Sequence, residues 1–158
     1  MDATLQHLVG QVAERLRSRG LSLVTAESCT GGWVAKVITD MAGSSQWFDR
    51  SFVTYSNLAK QEMLGVREAT LAEHGAVSEA TVREMTEGAL RHSHGDVSGA
   101  ISGIAGPGGG SEAKPVGTVC FAWAVAGGNT VSRVVHFEGD REAVRRQAVE
   151  TALEGVLD

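Results

Sequence analysis

Leu21-Ser22-Leu23-Val24-Thr25-Ala26-Glu27-Ser28-Cys29-Thr30-Gly31-Gly32-Trp33-Val34-Ala35-Lys36-Val37-Ile38 changes its periodicity half-way along. Leu21 to Thr25 is a short, β-rich run that predicts a strand, whereas Val34, Val37, Ile38 and Met41 recur at the spacing of a helix. Ala26 to Gly32 is then the turn between them, and Ser28 falls between a strand end and a helix start. Upstream, Leu5, Leu8, Val9, Val12 and Leu16 predict an amphipathic helix over 4–19 that Gly20 stops.

The same reading continues downstream. Ser51 to Tyr55 predicts a second strand, and Asn57 caps a short helix through Leu64 that Gly65 ends, with Lys60 in its first turn. Ser78 is the expected cap of a helix reaching His92, steadied by a Val77 to Val82 contact. Val97 to Ile104, Val116 to Ala126 and Thr130 to Phe137 predict three more strands, and Asp140 caps a last helix carrying Val144, Ala148, Val149, Ala152, Leu153 and Val156. Early strands separated by helices imply parallel pairing, while Gly127-Gly128-Asn129 signals a hairpin. The expected fold class is α/β: a single-domain, three-layer α/β/α sandwich around a mixed, mainly parallel sheet. Ligands of such sheets gather at the carboxyl ends of the strands, where Ser28 and the loop after Ile104 emerge.

A chain of 158 residues, 42% hydrophobic and 21% charged, suits one globular domain over 1–158 with a full core. Its longest apolar run, Val119 to Ala126, is far short of a bilayer span, and no basic-then-apolar leader opens it, so membrane insertion and secretion are not expected. A net charge of −5 argues against direct nucleic-acid contact. Cys29 and Cys120 are too few for a disulfide framework, and a reducing cytoplasm is the expected setting. The five histidines are scattered, and no metal is expected.

Several residues have the chemistry of a site. Ser28 is a candidate nucleophile held at a strand-to-helix turn, with the amides of Thr30, Gly31 and Gly32 expected free for an oxyanion or a phosphate; its alternative is a helix cap. Cys29 competes, but a cysteine among apolar neighbours is more often a buried filler, so Ser28 ranks above it. No histidine is obviously paired with the serine. Lysine is the alternative base, and there are only three lysines beside 11 arginines. In a first helical turn the positive dipole end and burial both lower the pKa of Lys60, allowing it to take the Ser28 proton; otherwise Lys60 is an ordinary solvated cation. Tyr55, the only tyrosine, lies five residues before it. Glu27 reads as an acceptor for backbone and hydroxyl donors, in preference to an acid/base residue.

Residues 103–117 hold six of the 20 glycines and both prolines. Gly103, Ala105, Gly106, Gly108 and Gly109 read as a concave anion cradle with Lys114 adding charge, or as a long flexible connection. No Walker A sequence and no Gly-x-Ser-x-Gly elbow is present. Arg141 and Arg145, four residues apart, share a helix face suited to phosphate or carboxylate, or to pairing with nearby glutamates. Trp33 and Trp47 are candidates for a subunit interface.

Ala26-Glu27-Ser28-Cys29-Thr30-Gly31-Gly32, Tyr55-Ser56-Asn57 with Lys60, Leu64-Gly65-Val66, His74-Gly75-Ala76-Val77-Ser78, Gly103-Ile104-Ala105-Gly106-Pro107, Lys114-Pro115-Val116-Gly117 and Gly139-Asp140-Arg141 together resemble the CinA C-terminal-domain family over nearly the whole chain. The resemblance implies a cofactor-free and metal-independent amidohydrolase, commonly a homo-oligomer. Its expected reaction converts the carboxamide of nicotinamide mononucleotide to nicotinate mononucleotide and ammonia, with a catalytic serine and lysine carried onto Ser28 and Lys60 and the family tyrosine onto Tyr55. The resemblance and the residues together set a substrate-binding group of Glu27, Cys29, Thr30, Gly31, Gly103, Ala105, Gly106, Gly108, Gly109, Lys114, Arg141 and Arg145. Two other readings stay open: a nucleotide-sensing module without catalysis, and an interaction module associated with DNA repair or competence.

Overall fold

In the computed structural model, which describes residues 2–158, the Asp2 carboxylate accepts from the Thr4 and Leu5 amides and starts α1 (Ala3–Arg19), which Gly20 ends in the left-handed conformation. The chain continues through β1 (Leu23–Glu27), α2 (Trp33–Thr39), a 3-10 turn over Ser44–Gln46, β2 (Phe48–Val53), α3 (Asn57–Leu64), α4 (Glu68–His74) and α5 (Glu79–Arg91). It finishes with β3 (Val97–Gly103), β4 (Thr118–Val125), β5 (Thr130–His136) and α6 (Arg141–Val156). The sheet order is β2-β1-β3-β4-β5. β1 pairs in parallel with both β2 and β3, and β4 runs antiparallel to both β3 and β5, so four strands point one way and β4 alone is reversed.

Side-chain alternation divides the core in two. Leu23, Ile101, Val119 and Phe121 pack with Leu5, Val12 and Leu16 of α1, Val34 and Ile38 of α2, and Val149 and Leu153 of α6. On the opposite face Val24, Ala26, Ala100 and Ala122 pack with Leu64 of α3, Leu71 of α4, and Val82 and Met85 of α5. This is the expected α/β/α layering. The strand residues on the second face are small, which lets α5 lie close to the sheet. Gly88 of α5 extends that economy of space, since a Cβ there would stand 1.9 Å from the Leu64 carbonyl oxygen. α3, with Lys60, is thereby seated directly on α5.

The boundaries depart from expectation in physically instructive places. β1 begins at Leu23 because the Leu21 amide still bonds back to Leu16. β2 begins three residues and ends two residues earlier than expected: it is an edge strand, so Asp49 and Arg50 stay solvated and conceal the apolar pattern. The cap of α3 is Ser56, not Asn57; its Oγ accepts from the Ala59 amide. α4 was not expected at all, since its only buried residues are Thr70 and Leu71. Trp47 is 1% exposed and belongs to the core, which removes it as an interface candidate. Among the described residues no helix is long and apolar enough to cross a membrane.

Candidate active site

The pleat of β1 sends neighbouring side chains to opposite layers, and the chemistry at its carboxyl end depends on that split. Glu27 is fully buried on the α2 side. Its Oε1 accepts from Thr30 Oγ1 at 2.6 Å and from the Gly32 and Val34 amides at 3.1 Å, and its Oε2 from the Ala35 amide at 3.0 Å and Ser51 Oγ at 3.2 Å. A single carboxyl group therefore holds the turn and the start of α2, as the acceptor reading expects. It is committed to the scaffold rather than open to a substrate.

Ser28, one residue on, points to the α3 layer. Lys60 Nζ donates to, or accepts from, Ser28 Oγ at 3.0 Å, and donates to the carbonyl oxygens of Thr54 at 2.9 Å and Tyr55 at 3.3 Å. The amine is 1% exposed and, among the described residues, has no carboxylate within ion-pair reach. Burial without a counter-charge pushes its pKa below the usual lysine value. Two carbonyls and one hydroxyl serve the amine in both protonation states: they accept all three N–H groups of the ammonium, and for the neutral amine the hydroxyl turns to donate to its lone pair. The carbonyls are available because the chain leaves β2 after Val53, with the Thr54 amide still bound to the Glu27 carbonyl at 2.8 Å.

Cys29 is 6% exposed, and burial pushes its thiol up to about 11, so it is a protonated neighbour of the serine. The expectation of three free amides is corrected: the Gly31 amide donates to the Ser28 carbonyl at 3.0 Å and that of Gly32 to Glu27. The amides of Cys29 and Thr30 have no acceptor among the described residues.

Ser28, Cys29 and Lys60 form the floor of a pocket of about 250 Å³. Ala76 and Val77 make one wall, Gly103 and Ala105 another, and Tyr55, Asn57 and Arg141 the rim. Arg141 Nη1 donates to the Gly106 carbonyl at 2.8 Å and Nη2 to the Tyr55 hydroxyl at 3.3 Å, tying α6 to the glycine-rich loop and to the 63%-exposed tyrosine. Ser102, which also lines the pocket, escaped the sequence reading. The signal was there: on β3 it shares the face of Ala100, two residues away, and so meets Ser28 and Lys60 in the same layer.

Other expected binding residues lie elsewhere. Gly108 and Gly109 are exposed and stand outside the pocket lining. Lys114 Nζ donates to the His74 carbonyl at 2.8 Å, pinning the loop to the end of α4. Thr30 is buried against Glu27 and Gly31 lies behind the turn, its Cα facing Arg145. Arg145 does not share the pocket with Arg141; it donates to the carbonyls of Cys29 at 2.9 Å and Thr30 at 3.2 Å, with its guanidinium 5.6 Å from the centre of the Trp33 ring.

Proteins of known sequence and structure resemble this chain over nearly its whole length. The chain is 62% identical over 153 residues to the nicotinamide-nucleotide amidohydrolase PncC of Escherichia coli (strain K12), covering 97% of this chain and 93% of that protein. It is 49% identical to the protein of the same name from Pseudomonas putida, covering 95% and 93%. The crystal structure of competence/damage inducible protein CihA from Agrobacterium tumefaciens superposes with a TM-score of 0.97 at 42% identity, covering 99% of this chain and 96% of that one. The model of the CinA C-terminal domain matches residues 5–158, which takes in both layers, the Ser28 turn and α6, and the chain belongs to that family.

Proposed function

We propose that this chain is an amidohydrolase that converts the carboxamide of nicotinamide mononucleotide to the carboxylate, giving nicotinate mononucleotide and ammonia, with Ser28 as nucleophile and Lys60 as its base. One observation carries the reading: a buried amine with no acidic partner among the described residues, two of its three bonds to carbonyl oxygens and the third to a serine hydroxyl at a strand end. The names of the bacterial relatives supply the substrate.

Neutral Lys60 takes the Ser28 proton as Oγ adds to the carboxamide carbon, and the oxygen becomes an oxyanion held by the unfilled amide of Cys29. The C–N bond then breaks, and the ammonium group of Lys60 returns the proton to the departing nitrogen, releasing ammonia. Water adds to the acyl-enzyme by the same route, its proton passing through Lys60 to Ser28 Oγ. Arg141 and Tyr55 at the rim hold the nucleotide phosphate and flank the pyridine ring, while Gly103 and Ala105 admit the ring by their lack of bulk. The binding-only alternative gives no reason to bury a lysine against a hydroxyl. Two unpaired, buried thiols fit the cytoplasmic setting.

Ammonia release from the mononucleotide by Ser28→Ala and Lys60→Met tests the reading. Each variant is expected to lose about 10⁴-fold or more in turnover, because members of such a unit fail together. Turnover within tenfold of the parent in either variant removes that residue from its role.

A further inference from the structure

We propose that Lys114 is a positioning residue: its bond to the His74 carbonyl clasps the two walls of the pocket together and sets the width of the slot that takes the pyridine ring. The inference rests on the reaction proposed above, which brings that ring past Gly103 and Ala105; Ala76 and Val77 form the other wall. Each wall has its own anchor on the scaffold. The Gly75 carbonyl accepts from Ser78 Oγ at 2.9 Å and from Thr81 Oγ1 at 2.7 Å, which fixes the Ala76 and Val77 wall to the start of α5. The other wall leaves β3; its Ile104 amide donates to the Thr118 carbonyl at 2.9 Å, and the Ile104 carbonyl accepts from the Gly117 amide at 2.8 Å.

Lys114 joins what these bonds leave apart. Its Nζ donates to the His74 carbonyl at 2.8 Å, a charge-assisted bond one residue before Gly75, and a Cβ on Gly75 would lie 3.6 Å from the same amine. Among the described residues this is the only hydrogen bond between residues 74–77 and 103–117. The limb that carries Lys114 is stiff enough to pass the restraint on. The Ser111 amide donates to the Lys114 carbonyl at 2.9 Å and the Lys114 amide to Ser111 Oγ at 3.1 Å, closing a tight turn. Two residues on, Val116 packs against both Gly106 and Gly110: a Cβ would stand 2.5 Å from its Cγ1 at the first and 2.6 Å from its amide nitrogen at the second. The restraint thus runs from His74 through Lys114 and Val116 to Gly106, and through Gly117 to Ile104, inside the wall itself. Lys114 does not line the pocket. A lysine that sets the slot acts on every ring-bearing substrate alike, whereas one that met the phosphate would act on the nucleotide alone.

The test compares kcat and KM for Lys114→Met and Lys114→Arg on the mononucleotide and on its phosphate-free riboside, with folding checked by thermal melting. Loosening the slot removes binding made equally in the ground state and the transition state. Lys114→Met is therefore expected to raise KM about tenfold, by the same factor on both substrates, with kcat within about threefold of the parent. Lys114→Arg still presents an N–H to the His74 carbonyl and is expected to bring KM back to within about threefold. In the free protein, exchange of the hydrogen-bonded amides of Gly75, Ile104 and Gly117 is expected to quicken about threefold or more in Lys114→Met and to stay parental at Val12 in α1. The idea is overturned by a KM of Lys114→Met within about twofold of the parent, by a rise confined to the phosphorylated substrate, by Lys114→Arg as impaired as Lys114→Met, or by parental exchange at all three amides. If Lys114→Met does not fold, Lys114→Gln, too short to reach the carbonyl, is read against the same outcomes. A parent that releases no ammonia from the mononucleotide defeats the reading of function instead, and the exchange comparison then decides whether the clasp holds the walls.

Discussion

The floor of the pocket and the loop beside it drew equal attention in the sequence, and they are built on opposite principles. In the floor and directly behind it, Ser28 and Lys60, then Glu27 and Thr30, are buried with their side-chain polar atoms hydrogen-bonded. The glycine-rich stretch from Gly106 to Lys114 is mostly exposed and is hydrogen-bonded to the rest of the molecule through two cations, Arg141 on the Gly106 carbonyl and Lys114 on that of His74. Precision resides where groups are buried and mutually bonded, because there each misplacement leaves a polar atom without water to replace its partner. The loop supplies room and reach.

The sharpest way to break the contrast, after the serine and lysine variants, is Glu27→Gln. The amide nitrogen cannot accept, so at least one of the five donors around Glu27 is stranded, costing about 1–3 kcal/mol and lowering the melting temperature along with turnover. An unchanged melting temperature would show that the carboxyl group is not what holds the turn. Gly88→Ala comes next. A methyl group 1.9 Å from the Leu64 carbonyl forces α3 off α5, with an expected cost of about 1–3 kcal/mol and a reduced kcat because Lys60 rides on α3.

The third prediction concerns pH. The pKa of Lys60 in the folded protein is lowered by burial from its usual 10.5, so kcat/KM is expected to rise with pH as the amine loses its proton, at a pH below 10.5. Between the folded and unfolded values the unfolded chain binds more protons, so stability relative to Lys60→Met also rises with pH across that window. A flat difference between the two proteins, measured by chemical denaturation from neutral to alkaline pH, contradicts the lowered value. The smallest effect is expected at Gly108, where nothing lies within 4 Å of a new Cβ and the backbone is not left-handed: Gly108→Ala should leave turnover within twofold and stability within about 0.5 kcal/mol. A tenfold loss would make the loop as exacting as the floor.

Much of the layered fold could be read from the chain because Leu5 to Leu16 and Val144 to Leu153 have clean helical spacing and Leu21 to Thr25 runs into a recognisable turn. β2 and α4 were displaced or missed for one shared reason: both lie near the rim, bury few apolar side chains and leave a weak pattern. In the site, the pairing of Lys60 with Ser28 was legible from the scarcity of lysine, the place of Lys60 in a first helical turn and the family resemblance. The two carbonyls that receive the amine were not legible, being backbone atoms whose direction depends on where β2 stops. The divergence of Arg141 and Arg145 was hidden for a different reason: four residues place two side chains on one face, but the Ser28 turn lies between their tips.

The alternation of Glu27 and Ser28 across the sheet makes β1 a measuring device as well as a wall. Adding or deleting one residue ahead of the turn would send the acid toward α3 and the hydroxyl beneath α2, so that each met the other's partners. Within this architecture the strand tolerates changes of side chain far better than changes of length, and the spacing between Leu23 and Ser28 is as much a part of the chemistry as the serine itself.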